Sequence, residues 1–158
     1  MTAFTVQICE KILELIQSRA SDLPEVAGGW NAAVRYQFYA DSTDLDTLEV
    51  SIVPGSLVCE NLTRDGGKVQ FVVGVSLGKK LDSDDEIPEL AAFSEMLFLY
   101  LRSFPAFQPD PDKFYRGVEL STVSTESIYS NETLDSIRTY DSLIVLTFNV
   151  YFRKGGLS

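Results

Sequence analysis

The chain contains no histidine among its 158 residues. Histidine is the commonest general base and protein metal ligand, so its absence excludes Ser–His and Cys–His nucleophilic catalysis. Cysteine is almost as scarce: Cys9 lies in an apolar helical pattern, and Cys59 lies just past an alternating, strand-like pattern. We expect both to be buried, reduced thiols, because nothing in their spacing supports a disulfide.

Long apolar runs are also missing. No segment reaches the roughly 18 consecutive apolar residues that a membrane-spanning helix requires. The first residues carry no basic stretch, and Glu10, Lys11 and Glu14 interrupt the apolar positions there, which argues against a signal peptide. We therefore expect a protein that is made and used in a cytoplasm, without membrane contact.

Positive charge is in short supply. The 13 Lys and Arg residues stand against 23 Asp and Glu residues, which gives a formal net charge of −10 at pH 7. Nucleic-acid binding through phosphate neutralisation needs clustered Lys and Arg, so we expect no sequence-specific nucleic-acid binding. Two interpretations of the excess of acidic residues stay open: it keeps the protein soluble, or it forms a surface that repels passing DNA.

Motifs of chemistry are absent as well. The sequence has no phosphate-binding loop and no nucleophile motif. Its many carboxylates include no two whose spacing places them together as a hydrolytic pair. We expect no enzymatic activity, no catalytic residue, no metal site and no cofactor.

Periodicity predicts two helices. Apolar residues recur at three- and four-residue spacing over Phe4–Ala20. A second helix is predicted after Pro88, which suits a first helical turn. Its apolar stripe consists of Leu90, Phe93, Leu97, Leu101 and Phe104.

Alternation of apolar and polar residues predicts five strands, near residues 32–38, 48–53, 68–77, 117–129 and 143–152. Pro54-Gly55 is expected to end the second strand, and Val58–Lys68 is expected to be a long loop. The last strand is apolar on both faces, which is typical of a central strand.

These elements predict an α+β fold in the order α-β-β-β-α-β-β. Two main helices are expected on one face of a mostly antiparallel sheet. We expect a single domain over residues 1–158, with a frayed tail at about residues 154–158.

Five segments, in this order, resemble a known protein family. They are Phe4–Ala20, LEVSIVPGS at 48–56, KVQFVVGVSLGKK at 68–80, DEIPELAAFSEMLFLYLRSF at 85–104 and ETLDSIRTYDSLIVLTFNVYFR at 132–153. The chain resembles the tail terminator (tail completion, neck) proteins of long-tailed bacteriophages. Val50, Ile52 and Pro54 match a strand pattern of that family, and Lys79 and Lys80 stand at its basic position.

The resemblance implies a virion protein of the tail or neck, assembled in the cytoplasm of a host bacterium. It implies a homohexameric ring that caps the tail tube, stops tube growth and joins the tail to head-proximal neck proteins, with DNA passing through. The implied partners are other copies of the chain, the tail tube protein, neck and connector proteins, and the sheath where the tail is contractile. Two alternatives stay open: another small phage neck, head-completion or baseplate ring protein, and a soluble adaptor or inhibitor outside the virion.

Charged residues near strand ends are the candidate interface residues. They are Arg64, Lys68, Lys79, Lys80, Arg138, Tyr140 and Asp141. The competing interpretation of the lysines and Arg64 is charge that limits pairing at strand edges. For Arg138, Tyr140 and Asp141 it is a local turn before the last strand.

Acidic residues before the second helix form a second candidate group. They are candidates to line the lumen of a ring or to lie in an interface. They are Asp82, Asp84, Asp85 and Glu86. They lack the alternating Asp or Asn residues, the glycine and the closing glutamate of a calcium-binding loop. The competing interpretation is acid favoured by the positive end of a helix dipole.

Overall fold

The computed structural model describes residues 3–36, 46–63, 66–111, 113–125 and 138–153, apart from the side chains of residues 60–63. Its main elements are α1 (Phe4–Ser18), β1 (Trp30–Val34), β2 (Leu48–Thr63), β3 (Gly66–Lys80), α2 (Ile87–Leu101), β4 (Tyr115–Ser124) and β5 (Thr139–Arg153). Short 3₁₀ helices follow α1 at Ala20–Asp22 and precede α2 at Asp84–Glu86. The α+β class and the predicted order α-β-β-β-α-β-β are confirmed.

The five strands form one sheet in the order β1-β2-β3-β5-β4. β1 runs parallel to β2, with Trp30 opposite Leu48. The other three neighbouring pairs are antiparallel, and β3 pairs with β5 along its whole length. The sheet is therefore mostly antiparallel, as predicted.

One face of the sheet carries the core. Side chains alternate along each strand, so every second residue of β3 and β5 points to the same face. Both helices contribute to the same apolar cluster as these residues. The following members are at most 1% exposed: Ile8, Ile12 and Ile16 of α1; Leu90, Phe93, Leu97 and Leu101 of α2; Phe71, Val73, Val75 and Leu77 of β3; Tyr140, Ile144, Leu146, Phe148 and Val150 of β5. Burying each large apolar side chain contributes about 1.5–3 kcal/mol, which stabilises this packing.

Pro54 does not end the second strand, contrary to the sequence-based expectation. β2 continues to Thr63, so most of the predicted loop is one arm of a β-hairpin with β3. The Ile52 carbonyl faces away from β3 and accepts a hydrogen bond from the Arg35 N–H at 2.9 Å. Pro54, two residues on, faces the same side, so its missing N–H removes no bond to β3.

A bulge follows Pro54. The register of β2 against β3 shifts between Pro54 and Leu57. A Cβ atom at Gly55 would lie 2.6 Å from the backbone oxygen of Val72, so a larger residue would push the two strands apart. Gly55 therefore lets the strand pass the bulge rather than stopping it.

The last strand is internal but not central. β5 lies between β3 and β4, and β3 is the middle strand of five. Only one face of β5 is fully buried, because both helices pack there, and Leu143 on the other face is 42% exposed. Cys59 also differs from expectation: it is exposed on the hairpin arm, whereas Cys9 is buried in α1, and both thiols are free.

Candidate interface surfaces

The end of the sheet where β3 stops and β5 starts carries most of the candidate residues. Lys80, Asp82, Asp84 and Asp85 are exposed there. Ser83 caps the short helix, since its Oγ accepts a hydrogen bond from the Asp85 N–H at 3.2 Å. We call residues 80–85 and 138–141 the acidic end.

Glu86 points inward from this end. Its Oε2 accepts hydrogen bonds from the N–H groups of Asp82 and Ser83, at 2.8 and 3.2 Å. Its Oε1 accepts one from Lys79. Burial alone would raise the pKa of Glu86, but these three hydrogen bonds and the charge of Lys79 hold that pKa below its ordinary value.

Lys79 lies inside the protein. Its side chain is 3% exposed, and its Nζ donates to the Ala27 carbonyl at 2.9 Å as well as to Glu86. This network ties the end of β3 to the loop before β1 and to the start of α2. Both charged groups are thus engaged within the chain and are at most 12% exposed, so we leave Lys79 and Glu86 out of the proposed interface.

Tyr140 is also internal. Its hydroxyl lies 2.7 Å from the Ser94 Oγ and 3.2 Å from the Leu90 carbonyl, which also accepts from Ser94 at 2.9 Å. The side chain is fully buried. Tyr140 thus pins β5 to α2, and its predicted interface role does not agree with this burial.

Arg138 and Asp84 form a surface ion pair across the acidic end, with both side chains more than half exposed. Arg138 adopts a φ of 54°, in the left-handed region that non-glycine residues rarely occupy. Its carbonyl accepts a hydrogen bond from the Leu81 N–H at 2.8 Å. The exposed pair contributes at most about 1 kcal/mol, but the backbone bond fixes the start of β5 against the end of β3.

The remaining candidates are spread over two ends of the molecule. Asp141 is part of the acidic end and is half-buried. Lys68 lies at the other end of β3, opposite Tyr151 of β5 and about 40 Å from Lys80 by strand length. Arg64 lies outside the described residues. The candidates therefore do not converge on one surface.

Two shallow grooves flank Phe107. One, of about 310 Å³, lies against α1 at Lys11, Glu14 and Leu15. The other, of about 440 Å³, lies along β4. In the part of the chain that the structure describes, no three His, Cys, Asp or Glu side chains are grouped to hold a metal ion.

No family model matches this chain, and no curated protein is significantly similar to it. None of the described helices is long and apolar enough to cross a membrane.

Sequence reasoning missed a surface on the hairpin arm. Leu57 and Val58 are 52% and 51% exposed, and Cys59 beside them is exposed too. Val58 and Cys59 were expected to lie in the loop Val58–Lys68, after Pro54-Gly55 had ended the strand. A signal was present nonetheless: the run Pro54–Cys59 contains no charged residue, which is unusual for an exposed loop.

Proposed function

We propose that this chain is a phage virion protein of the tail-terminator type. It forms a homohexameric ring that caps the tail tube, stops tube growth and joins the tail to head-proximal neck proteins, with DNA passing through. The observation that carries the proposal is the order α-β-β-β-α-β-β on a single sheet with both helices on one face. The order of these elements is the one on which the resemblance rests.

The ring works by binding alone. A ring of identical subunits uses heterologous contacts, in which two different surfaces of the chain meet and the rotation closes. Both helices occupy one face of the sheet, so the edges of the sheet are available for such contacts within the described part of the chain.

Charge supports the passage of DNA. Six copies carry about −60 at pH 7 before counterions, since each has a formal charge of −10. An acidic wall repels the phosphates of DNA and keeps it from adhering. The exposed carboxylates of Asp82 and Asp85 are candidates for this wall or for contacts with the next ring.

The partners under this proposal are the tail tube protein on one side of the ring and neck or connector proteins on the other. The sheath is a further partner where the tail is contractile. Lys68, Lys80, Arg138 and Asp141 are the candidate residues for these contacts that remain at or near the surface.

The test is the mass of the purified protein by light scattering, alone and after mixing with tail tube protein. A hexamer of the 17.6 kDa chain has a mass of about 106 kDa. We expect that mass in solution, or rings bound at tube ends in electron micrographs. Rings that ignore tubes would favour another phage ring protein, and a monomer that ignores tubes would favour the soluble adaptor.

A further inference from the structure

Within the part of the chain that the structure describes, one edge of the sheet is open along half of β2. β1 pairs with β2 from Leu48 to Ile52 only. From Pro54 onward, β2 pairs with β3 on one side, and no described residue pairs with its other side. Leu57 and Val58, which point to opposite faces of the strand, are each about half exposed. The open segment thus combines unpaired backbone groups with apolar side chains.

Counting only described residues, the opposite edge of the sheet is open along half of β4. Val118 is paired on its outer side, because it exchanges backbone hydrogen bonds of 2.7 and 3.1 Å with Phe107. From Leu120 to Ser124, β4 pairs with β5 on one side, and its other side has no partner among the described residues. As far as the described ranges extend, the sheet therefore has one open segment on each edge.

Neither open segment carries the usual protection of a strand edge. Natural edge strands are blunted by charged residues, especially lysine, that prevent pairing with another chain. Charged residues make up 23% of this chain, yet Pro54–Cys59 and Leu120–Ser124 contain none. An uncharged open edge is a template for strand addition.

The two open segments overlap in height along the strands, with Pro54–Leu57 level with Leu120–Val123. Leu120 of β4 is opposite Phe148, which is opposite Phe71, which is opposite Leu57 of β2. Likewise, Val123 is opposite Leu146, which is opposite Val73, which is opposite Pro54. A neighbouring copy can therefore pair edge to edge with little displacement along the strands, which a closed ring requires and an open filament does not.

The strand directions also match. Because each neighbouring pair from β2 through β3 and β5 to β4 is antiparallel, β4 runs opposite to β2. A second copy placed beside the first in the same orientation brings its β2 antiparallel to the first copy's β4. The sheet then continues from one copy to the next with the same kind of ladder.

We propose that Pro54–Cys59 of one copy pairs antiparallel with Leu120–Ser124 of the next copy, and that this pairing is the joint between subunits. The occupant of each open edge is thus the opposite edge of a second copy. This inference rests on the proposed ring and adds which surfaces of the chain close it.

Two variants each block one edge. Leu57→Pro acts on β2. Leu57 is opposite Phe71, two residues along β3 from the partner of Pro54, so its N–H faces the open side as Pro54 does. Loss of that N–H leaves the ladder to β3 intact. Ser121→Lys with Ser124→Lys acts on β4, where both serines are exposed. The matched control is Gln17→Lys with Leu99→Lys, which adds the same two charges at exposed positions of the helices.

Light scattering and sedimentation on the wild type and these variants, alone and on tail tubes, test the joint. We expect each edge variant to weaken association at least tenfold and the control to assemble as the wild type does. An equimolar mixture of the two edge variants retains one intact β2 and one intact β4, so we expect it to form dimers that do not grow further.

Four outcomes overturn the inference. Edge variants that assemble normally would place the joint elsewhere while leaving the ring itself standing. Loss of assembly in only one variant, or a mixture without dimers, would reject the pairing of β2 with β4. A wild type that stays monomeric, alone and with tubes, would reject the proposed function and this joint together. Circular dichroism checks folding, and Leu57→Lys replaces Leu57→Pro if the latter unfolds.

Discussion

Both halves of β2 contain apolar and polar residues, but their surroundings differ. In the first half, from Leu48 to Ile52, β1 and β3 flank the strand, and even the polar Ser51 is fully buried. In the second half, from Pro54 to Cys59, β3 is the one described strand that flanks it, and the apolar Leu57 is 52% exposed. Burial along this strand therefore follows the presence of a neighbour rather than the hydropathy of the residue.

Ser51 shows what a neighbour supplies. Its Oγ accepts a hydrogen bond of 2.6 Å from Arg35, whose other guanidinium nitrogen donates to Glu49 at 2.9 Å. Arg35 directly follows β1, so the strand that covers β2 also brings the group that satisfies its buried hydroxyl. A buried hydroxyl without such a bond is destabilising, so the contact with Arg35 is what allows Ser51 to be buried.

The two cysteines give the largest expected contrast. Burial, with a smaller contribution from the neighbouring Glu10 charge, raises the pKa of the Cys9 thiol to about 12 from an ordinary value of 9.0. That difference lowers the reactive thiolate of Cys9 by about a thousandfold, whereas Cys59 is open to solvent on the unpaired half of β2.

We therefore expect a maleimide at pH 8 to modify Cys59 and to leave Cys9 unmodified in the folded protein, as read by mass spectrometry. Cys59→Ser provides the control, since it should remove the fast reaction altogether. Rapid modification of both thiols would mean that α1 does not bury Cys9. Protection of Cys59 on assembly would add support for pairing of the open edge.

Truncation of apolar residues in the two halves of β2 gives the next largest contrast. Ile52 is fully buried in the core cluster, so Ile52→Ala leaves a cavity and is expected to lower the free energy of unfolding by about 2–5 kcal/mol. Leu57→Ala removes a half-exposed side chain and is expected to change it by less than about 0.5 kcal/mol in the monomer.

Urea denaturation of both variants measures this difference at a protein concentration where the wild type is monomeric. A loss at Leu57 comparable to that at Ile52 would contradict the contrast, because it would mean that the second half of β2 is covered within a single chain.

The core was predictable from sequence because periodicity reports burial on a single face. The stripe from Leu90 to Leu101 and the alternation from Phe71 to Leu77 both point into the cluster that the structure contains. Pro54 misled the prediction, since a proline ends a strand only where its N–H is needed by the ladder. The direction in which Pro54 faces depends on the neighbouring strand, and local sequence does not carry that information.

The candidate interface was harder to predict for a related reason. Lys79 and Lys80 are adjacent and chemically identical, yet Lys79 is buried with two partners and Lys80 is exposed. Strand alternation alone separates them, because Lys79 shares the inward face of Leu77. The charge of Lys79 at a strand end indicated a surface contact, whereas its position in the inward–outward alternation of the strand indicated an internal one.

The adjacent residues Asp85 and Glu86 provide the smallest contrast, between an exposed carboxylate and one held by hydrogen bonds. Glu86 accepts hydrogen bonds from Lys79 and two backbone N–H groups, and its pKa is lowered, whereas Asp85 is exposed. We expect Glu86→Gln to lower the free energy of unfolding at pH 7 by about 1 kcal/mol and Asp85→Asn to leave it nearly unchanged.

The sign of the pH dependence follows from the lowered pKa. The folded state holds Glu86 ionised at a pH where the unfolded chain, with an ordinary value of 4.5, has begun to take up a proton. The stabilisation is therefore complete above about pH 4.5 and is lost as the pH falls through the folded-state pKa. Urea denaturation between pH 7 and pH 3 should show the wild type converging on Glu86→Gln at the acid end. A constant difference across that range would mean that Lys79 and the two N–H groups do not hold the carboxylate in its charged form.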